Sequence, residues 1–233
     1  MTVIRGARER ARAEITAAIK DEARAQLAAE GAARLSLRAV ARELGMASSA
    51  LYRYFPSRDD LLTALIVDAY DAVGAAAEAA LATAGTTAAP VDRWTTVCRA
   101  VRTWALAHPH EYALIYGSPV PGYTAPQTTV QPAARVALCL IAITRDAHAA
   151  GTLRTPSGPR PPASALTDAA ALAGRLRIEL PADVIAALIA AWAELFGLVG
   201  FELFGQFHQV VEAREEFFTH AVTRLALQIG LGE

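Results

Sequence analysis

The run Ser36-Leu-Arg-Ala-Val-Ala-Arg-Glu-Leu-Gly45, then Ala50-Leu-Tyr-Arg-Tyr-Phe-Pro-Ser-Arg-Asp-Asp-Leu-Leu62, decides how this chain is read. Ser36 is placed to cap a short helix with apolar positions Leu37, Val40, Ala41 and Leu44, because a seryl oxygen can accept from the open N–H groups of a first turn. Gly45 ends that helix and permits a tight turn. Only Gly45 and Met46 precede a third helix, expected from Ala47 to about Tyr54, and Pro56 breaks the chain after it. Ser57 with Asp60 three residues on resembles a capping box, and Asp59 and Asp60 suit the positive end of the next helix, expected to about Leu81.

Upstream, Ile15, Ile19, Ala23 and Leu27 recur four apart between Arg8 and Ala29. That spacing predicts an amphipathic helix, stopped at Gly31. Three helices, the last two joined through a glycine turn, describe a helix-turn-helix whose final helix must stay exposed to enter a major groove. Leu37, Val40, Leu44 and Leu51 supply the inward contacts, and Ala41 is small where two helices approach closely. Ser48, Ser49, Tyr52 and Arg53 remain outward, with hydroxyl and guanidinium groups suited to phosphate oxygens and base edges. A generic helical hairpin packs equally well, so spacing alone leaves both readings open.

Composition extends the helical reading to the whole chain. Of 233 residues, 54 are alanine and one, Lys20, is lysine. Apolar residues make up 54% and charged ones 19%, which excludes a disordered polyelectrolyte. Further helices are expected from Pro90 through Trp104, from Pro109 to Tyr116, Gln131 to Ala150, Ser164 to about Arg175, Ala182 to Gly205 and Glu212 to Gln228. Gly117–Tyr123 and the Pro- and Gly-rich Gly151–Pro162 are expected as loops. No alternating strand pattern is present, and the fold class is all-α. The net charge of −1 hides an asymmetry: residues 1–58 carry 11 basic against 6 acidic side chains, and the remainder 11 against 17. A basic front end can meet a polyanion while the acidic remainder limits indiscriminate binding; chance placement on a helical surface is the plainer account.

Cys98 and Cys139 stand far apart without metal-ligand spacing and read as buried thiols in a reducing compartment. No signal-peptide pattern opens the chain. Glu194 and Glu202 interrupt the apolar run Val184–Gly205, so a core helix is expected rather than a membrane span, and the cytoplasm is the expected location. No nucleophile elbow, phosphate loop, dinucleotide fingerprint or metal motif occurs. His108, His110 and Glu111 are separated by a proline and lack further local ligands, so neither metal, cofactor nor catalytic residue is expected.

Over residues 10–62 the sequence resembles the DNA-binding domain of TetR-family transcriptional regulators: the Val40-Ala41 pair, the Gly45 turn, the Leu51-Tyr-Arg-Tyr-Phe55 run and the basic residue ahead of an acidic helix start fall in register. The resemblance implies a helix-turn-helix DNA-binding domain over 1–56 and a helical ligand-binding and dimerisation domain over 57–233. It implies a homodimeric repressor that binds double-stranded operator DNA and is released by a small hydrophobic or aromatic effector. It places DNA contacts at Arg38, Ser48, Tyr52, Tyr54 and Arg58, and the outward face of the third helix adds Ser49 and Arg53 to the candidate contacts. Arg58 stands where the family usually has lysine, and arginine adds a fork geometry for phosphate. The duller readings are that Tyr52 packs, that Arg42 and Arg53 are solvated charges, and that Arg5 to Arg12 forms an arm with or without contact to DNA.

The stretch Trp104-Ala-Leu-Ala-His-Pro-His-Glu-Tyr-Ala-Leu-Ile-Tyr-Gly117 is similar to a C-terminal domain type of this family marked by tryptophan, histidine and glycine. Tyr70, Trp94, Trp104, Tyr112, Tyr116 and Tyr123 are candidate linings of an effector pocket; core packing is the alternative for each. Arg99, Arg102 and Arg135 are the nearby cations. Ile185, Leu188, Trp192, Phe196, Val199 and Leu203, with Phe218, Val222 and Leu225, form stripes assigned to a four-helix dimer interface. A helical enzyme acting on a small apolar molecule is the reading from another class.

Overall fold

A computed structural model describes the backbone of residues 2–232 and the side chains of residues 6–232; Arg5 of the basic segment lies outside the described side chains. The described residues form α1 (Thr2–Glu30), α2 (Leu37–Glu43), α3 (Ser48–Leu51), α4 (Arg58–Ala84), α5 (Pro90–Ala107), α6 (Pro109–Tyr116), α7 (Val130–Ala149), α8 (Ala163–Leu176), α9 (Ala182–Leu203) and α10 (Arg214–Ile229). Single 3₁₀ turns at Ala32–Arg34 and Gln127–Thr129 were not expected from the sequence, and no strand occurs among the described residues. The third helix, α3, is a single turn, shorter than the expected span from Ala47 to about Tyr54, and continues as turns through Tyr54.

The chain packs as two compact units. The first contains residues up to Tyr70 and His108–Pro132; the second contains Asp71–Ala107 and the chain from Ala133 onward. Compactness therefore divides the chain inside α4, whereas the functional division expected from sequence falls at residue 56. The reason is visible in the core of the first unit, where Leu61, Leu62, Leu65 and Ile66 of α4 join Ile19, Leu27, Leu37, Val40, Leu51 and Phe55 in one buried cluster. Each such side chain contributes about 1.5–3 kcal/mol on burial. The tripod therefore holds the first half of α4 as a fourth wall. All six tyrosines belong to this unit and all three tryptophans to the other.

The second unit is a bundle in which α9 packs on α8, α10 and α5, and α10 on α5. Its buried charges are paired. Arg102 and Glu202 meet through two bonds of 2.7 Å, with side chains 14% and 7% exposed. Arg135 of α7 bridges Asp71 and Glu78 of α4. A Cβ at Gly74 would lie 2.7 Å from Cβ of Arg135, so glycine at that point admits the arginine stem against α4. The segment after α7 is strapped to the end of α10: the N–H groups of Arg154 and Ser157 donate to the carbonyls of Gly230 and Gln228.

Candidate nucleic-acid interface

The local structure of the tripod follows its capping and turn residues. The N–H of Ala39 donates to Ser36 Oγ at 3.4 Å, which starts α2. Gly45 adopts φ +64° in the turn, a conformation that costs an L-residue about 1–2 kcal/mol. The N–H of Met46 donates to the carbonyl of Ala41 at 2.8 Å, tying the turn to the helix before it. Ser57 Oγ accepts from the N–H of Asp60 at 3.1 Å and donates to its carboxylate at 2.7 Å, so the start of α4 is capped as its sequence indicates.

These constraints leave one polar outer face on α3 and the turns after it. Ser48, Ser49 and Arg53 are exposed, and Tyr52 is 42% exposed, a large aromatic surface beside the buried Leu51. Arg38, near the start of α2, turns part of its surface to solvent as well. Arg42 meets Glu43 at 3.3 Å on the solvent side, a pair worth at most a few tenths of a kcal/mol.

Two of the seven candidate contacts are placed differently. Tyr54 is half-buried against the tripod core, and the Arg12 guanidinium lies 5.0 Å over its ring. Arg58 turns its fork inward: Nη2 donates to the carbonyls of Ala32 at 2.8 Å and Ala33 at 3.3 Å, and Nε to Leu35 at 3.2 Å. The Ala32 carbonyl already takes the 3₁₀ bond from the Leu35 N–H at 3.3 Å, and Arg58 occupies its remaining acceptor capacity together with the carbonyls of Ala33 and Leu35. Its planar donors match that set of carbonyls as well as they would match a phosphate. Arg12, read from the sequence only as the end of a basic arm, docks on the segment after α3, a contact the sequence did not announce. It extends the apolar stripe of α1 backwards, three residues before Ile15, and its Nη2 donates to the Arg53 carbonyl at 3.3 Å.

A match to the family described as bacterial regulatory proteins, tetR family, covers residues 19–65, and one described as tetracyclin repressor-like, C-terminal domain, covers 94–225. The HTH-type transcriptional regulator Rv1816 of Mycobacterium tuberculosis is 41% identical over 218 residues, covering 87% of this chain and 86% of the relative. The chain belongs to the TetR family. Mb1846 of Mycobacterium bovis, also an HTH-type transcriptional regulator, shows the same 41% identity and the same coverage. The crystal structure of regulatory protein SCO4313 superposes with a TM-score of 0.73 at 35% identity, covering 93% of this chain and 97% of that one. The fold is shared too by the TetR family transcriptional regulator PfmR from Thermus thermophilus, at TM-score 0.58 and 19% identity, covering 92% and 99%. As a TetR-family member the chain is a DNA-binding transcriptional regulator and not an enzyme.

The residues expected to serve the regulatory half of this TetR-family chain are distributed between the two units. In the first, Tyr70 and Tyr116 meet edge to face at 5.9 Å, Tyr112 and Tyr116 lie 5.1 Å apart, and Tyr70 donates to the Ile115 carbonyl at 3.4 Å. Burial, with Tyr70 and Tyr112 beside it, holds the Tyr116 hydroxyl far above the ordinary phenol range. Tyr123 shares a 2.9 Å hydrogen bond with Thr63. Trp94 and Trp104 are buried in the second unit. The indole N–H of Trp94 finds no acceptor among the described residues, a condition that costs about 1–3 kcal/mol.

The dimer stripe needs correction. Ile185, Leu188, Phe196, Val199, Phe218, Val222 and Leu225 are buried within one chain, so they have no surface to give a second one. Periodicity identified a buried face of α9 but not which neighbour buries it; α8, α5 and α10 do. Leu203 is half-buried, and Trp192 alone of the stripe is exposed, at 38%. The outer face of α9 carries Ala190, Ala193 and Gly197, and a Cβ at Gly197 would meet open space. A groove of about 840 Å³ runs along this side of α9, floored by Ala182, Ala186, Ala187 and Ala190 and edged by Arg160 and Glu194. None of the six candidate pocket aromatics lines it. By length and a mean hydropathy of 2.1, α9 alone among the described helices could cross a membrane, yet its Glu202 is paired with Arg102 inside the bundle.

Proposed function

We propose that this TetR-family regulator is a homodimeric repressor that binds operator DNA in the cytoplasm and leaves it when a small hydrophobic or aromatic effector binds. The observation that carries the DNA-contact assignment is the outer face of the tripod. Ser48, Ser49, Tyr52 and Arg53 stand exposed on the turn that Gly45 and the Leu51 anchor hold out, with Arg38 beside them on α2. Ser48 and Ser49 are too short for bidentate base contacts, so Arg38 and Arg53, with Tyr52 on phosphate, carry most of the recognition, and DNA shape supplies the rest.

Dimerisation is assigned to the outer face of α9, where small residues allow close helix approach and Ile189, Trp192 and Phe201 add exposed apolar surface. Two tripods related by a twofold axis read half-sites about 34–36 Å apart, or a multiple of that. For the effector, the buried Trp94 indole N–H supports a donor directed at a polar atom of an otherwise apolar molecule. An effector can shift the DNA equilibrium only by its differential affinity for the two shapes of the protein.

The test begins with genomic fragments retained by the full-length protein. Tyr52→Ala and Arg38→Ala should each weaken binding about tenfold. Arg38→Ala removes a cation and should lower the salt slope by about 1 if it neutralises a phosphate, whereas Tyr52→Ala removes a neutral hydroxyl and should leave the slope unchanged. Gly197→Leu should convert dimer to monomer by light scattering. Undiminished DNA binding by both tripod variants would refute the assignment, and a monomeric wild type at micromolar concentration would refute the dimer.

A further inference from the structure

We propose that the first turns of α1 are a second DNA-contacting element, with Arg8 on a backbone phosphate flanking the groove entered by α3. The inference rests on the helix-turn-helix reading and extends it to a part of the chain outside the tripod core. The starting observation is one stripe that changes character along α1. Leu27, Ala23 and Ile19 are buried in the tripod core, and Ile15 is half-buried against it. Residues spaced three and four apart share a helix face, so Arg12 and Arg8 continue that stripe beyond the last apolar contact.

Arg12 fixes where the continued face points. Its Nη2 donates to the Arg53 carbonyl at 3.3 Å, and its guanidinium lies over the Tyr54 ring. The stripe therefore overhangs the C-terminal end of the recognition segment instead of solvent remote from it. Arg8 lies one turn further along, about 6 Å up the axis. It is exposed and makes no hydrogen bond or ion pair among the described residues. An exposed guanidinium one turn along the face that Arg12 docks on the recognition segment, with no carboxylate among the described residues to answer it, fits a phosphate oxygen pair.

Arg10 supplies an internal control. It carries the same charge two residues away, on the opposite face of α1, and its Nε donates to the carbonyl of Gly6 at 3.1 Å. A diffuse attraction between a basic helix and DNA would use Arg8 and Arg10 alike; a directed contact uses Arg8.

The experiment takes full-length protein and a duplex oligonucleotide selected by the wild type from a random-sequence pool, and follows affinity by anisotropy across a salt series. Arg8→Ala should weaken binding about tenfold and lower the slope of log K against log salt by about 1 per protomer. Arg10→Ala should leave the affinity within about twofold and the slope unchanged. Both replacements put alanine on an exposed helix, and circular dichroism should show unaltered helicity. Equal losses from Arg8→Ala and Arg10→Ala, or no loss from Arg8→Ala, would overturn the proposal while leaving the tripod assignment standing. Failure of the wild type to select any duplex would overturn the tripod assignment and this proposal with it.

Discussion

Replacing Arg58 by alanine tests whether its fork serves the protein or the nucleic acid. The side chain is 29% exposed and donates to the carbonyls of Ala32, Ala33 and Leu35, which precede α2. Hydrogen bonds from a charged donor are worth about 1.5–3 kcal/mol each when buried. Here one is short and two are long, and water can reach the freed carbonyls, so a total of about 2 kcal/mol is expected. That loss falls on the 3₁₀ turn and α2, and it should speed amide exchange at Leu37–Leu44 about thirtyfold while leaving the α9 amides unaffected. Arg58→Lys should recover little of it, because a single ammonium cannot reach three carbonyls in one plane. DNA affinity should fall with the disordered turn, with little change in its dependence on salt. An Arg58→Ala protein with wild-type amide exchange and a salt slope lower by about 1 would show that the arginine holds a phosphate and that this reasoning is mistaken.

Two other outcomes follow from groups buried in the second unit. Glu202→Ala leaves Arg102 without its bidentate partner inside the bundle and should destabilise that unit by about 3–5 kcal/mol, read as a lower urea midpoint in tryptophan fluorescence. Cys98 and Cys139 are both buried, and burial pushes the Cys139 thiol up to about 11 and Cys98 higher still. A raised thiol pKa means that the neutral form persists through neutral pH and the thiolate forms only as pH climbs through the raised value. Neither cysteine should therefore alkylate at pH 7–8 until the protein is unfolded, as mass spectrometry would show.

How much of this was legible beforehand depended on whether a residue's role is local. Ser36, Gly45 and the Ser57–Asp60 pair act within a few positions of themselves, and each is found where its chemistry indicated. The outward set Ser48, Ser49, Tyr52 and Arg53 was equally readable, because a helix too short to bury more than Leu51 leaves its remaining side chains outside. Arg58 was not, since the carbonyls that it satisfies arise from a 3₁₀ turn at residues 32–34 that nothing in Ala-Ala-Arg announces. For α9 the period of the apolar residues was right and the neighbour was wrong: a stripe tells that something covers Ile185 and Val199 without telling whether it belongs to the same chain. The six candidate aromatics are a different case, because a ring's place in the sequence does not tell which compact unit it joins: Trp94 and Trp104 belong to one and Tyr70, Tyr112, Tyr116 and Tyr123 to the other.

The separation of aromatic types between the two units gives the protein its own optical labels. Excitation at the red edge of the indole band addresses Trp94, Trp104 and Trp192 and so reports only the second unit, while phenol absorption belongs wholly to the first. Phenol-to-indole energy transfer is then a ruler between the halves that requires no dye. A change in that transfer on adding duplex DNA or a candidate effector would register motion of one half against the other in the unmodified molecule.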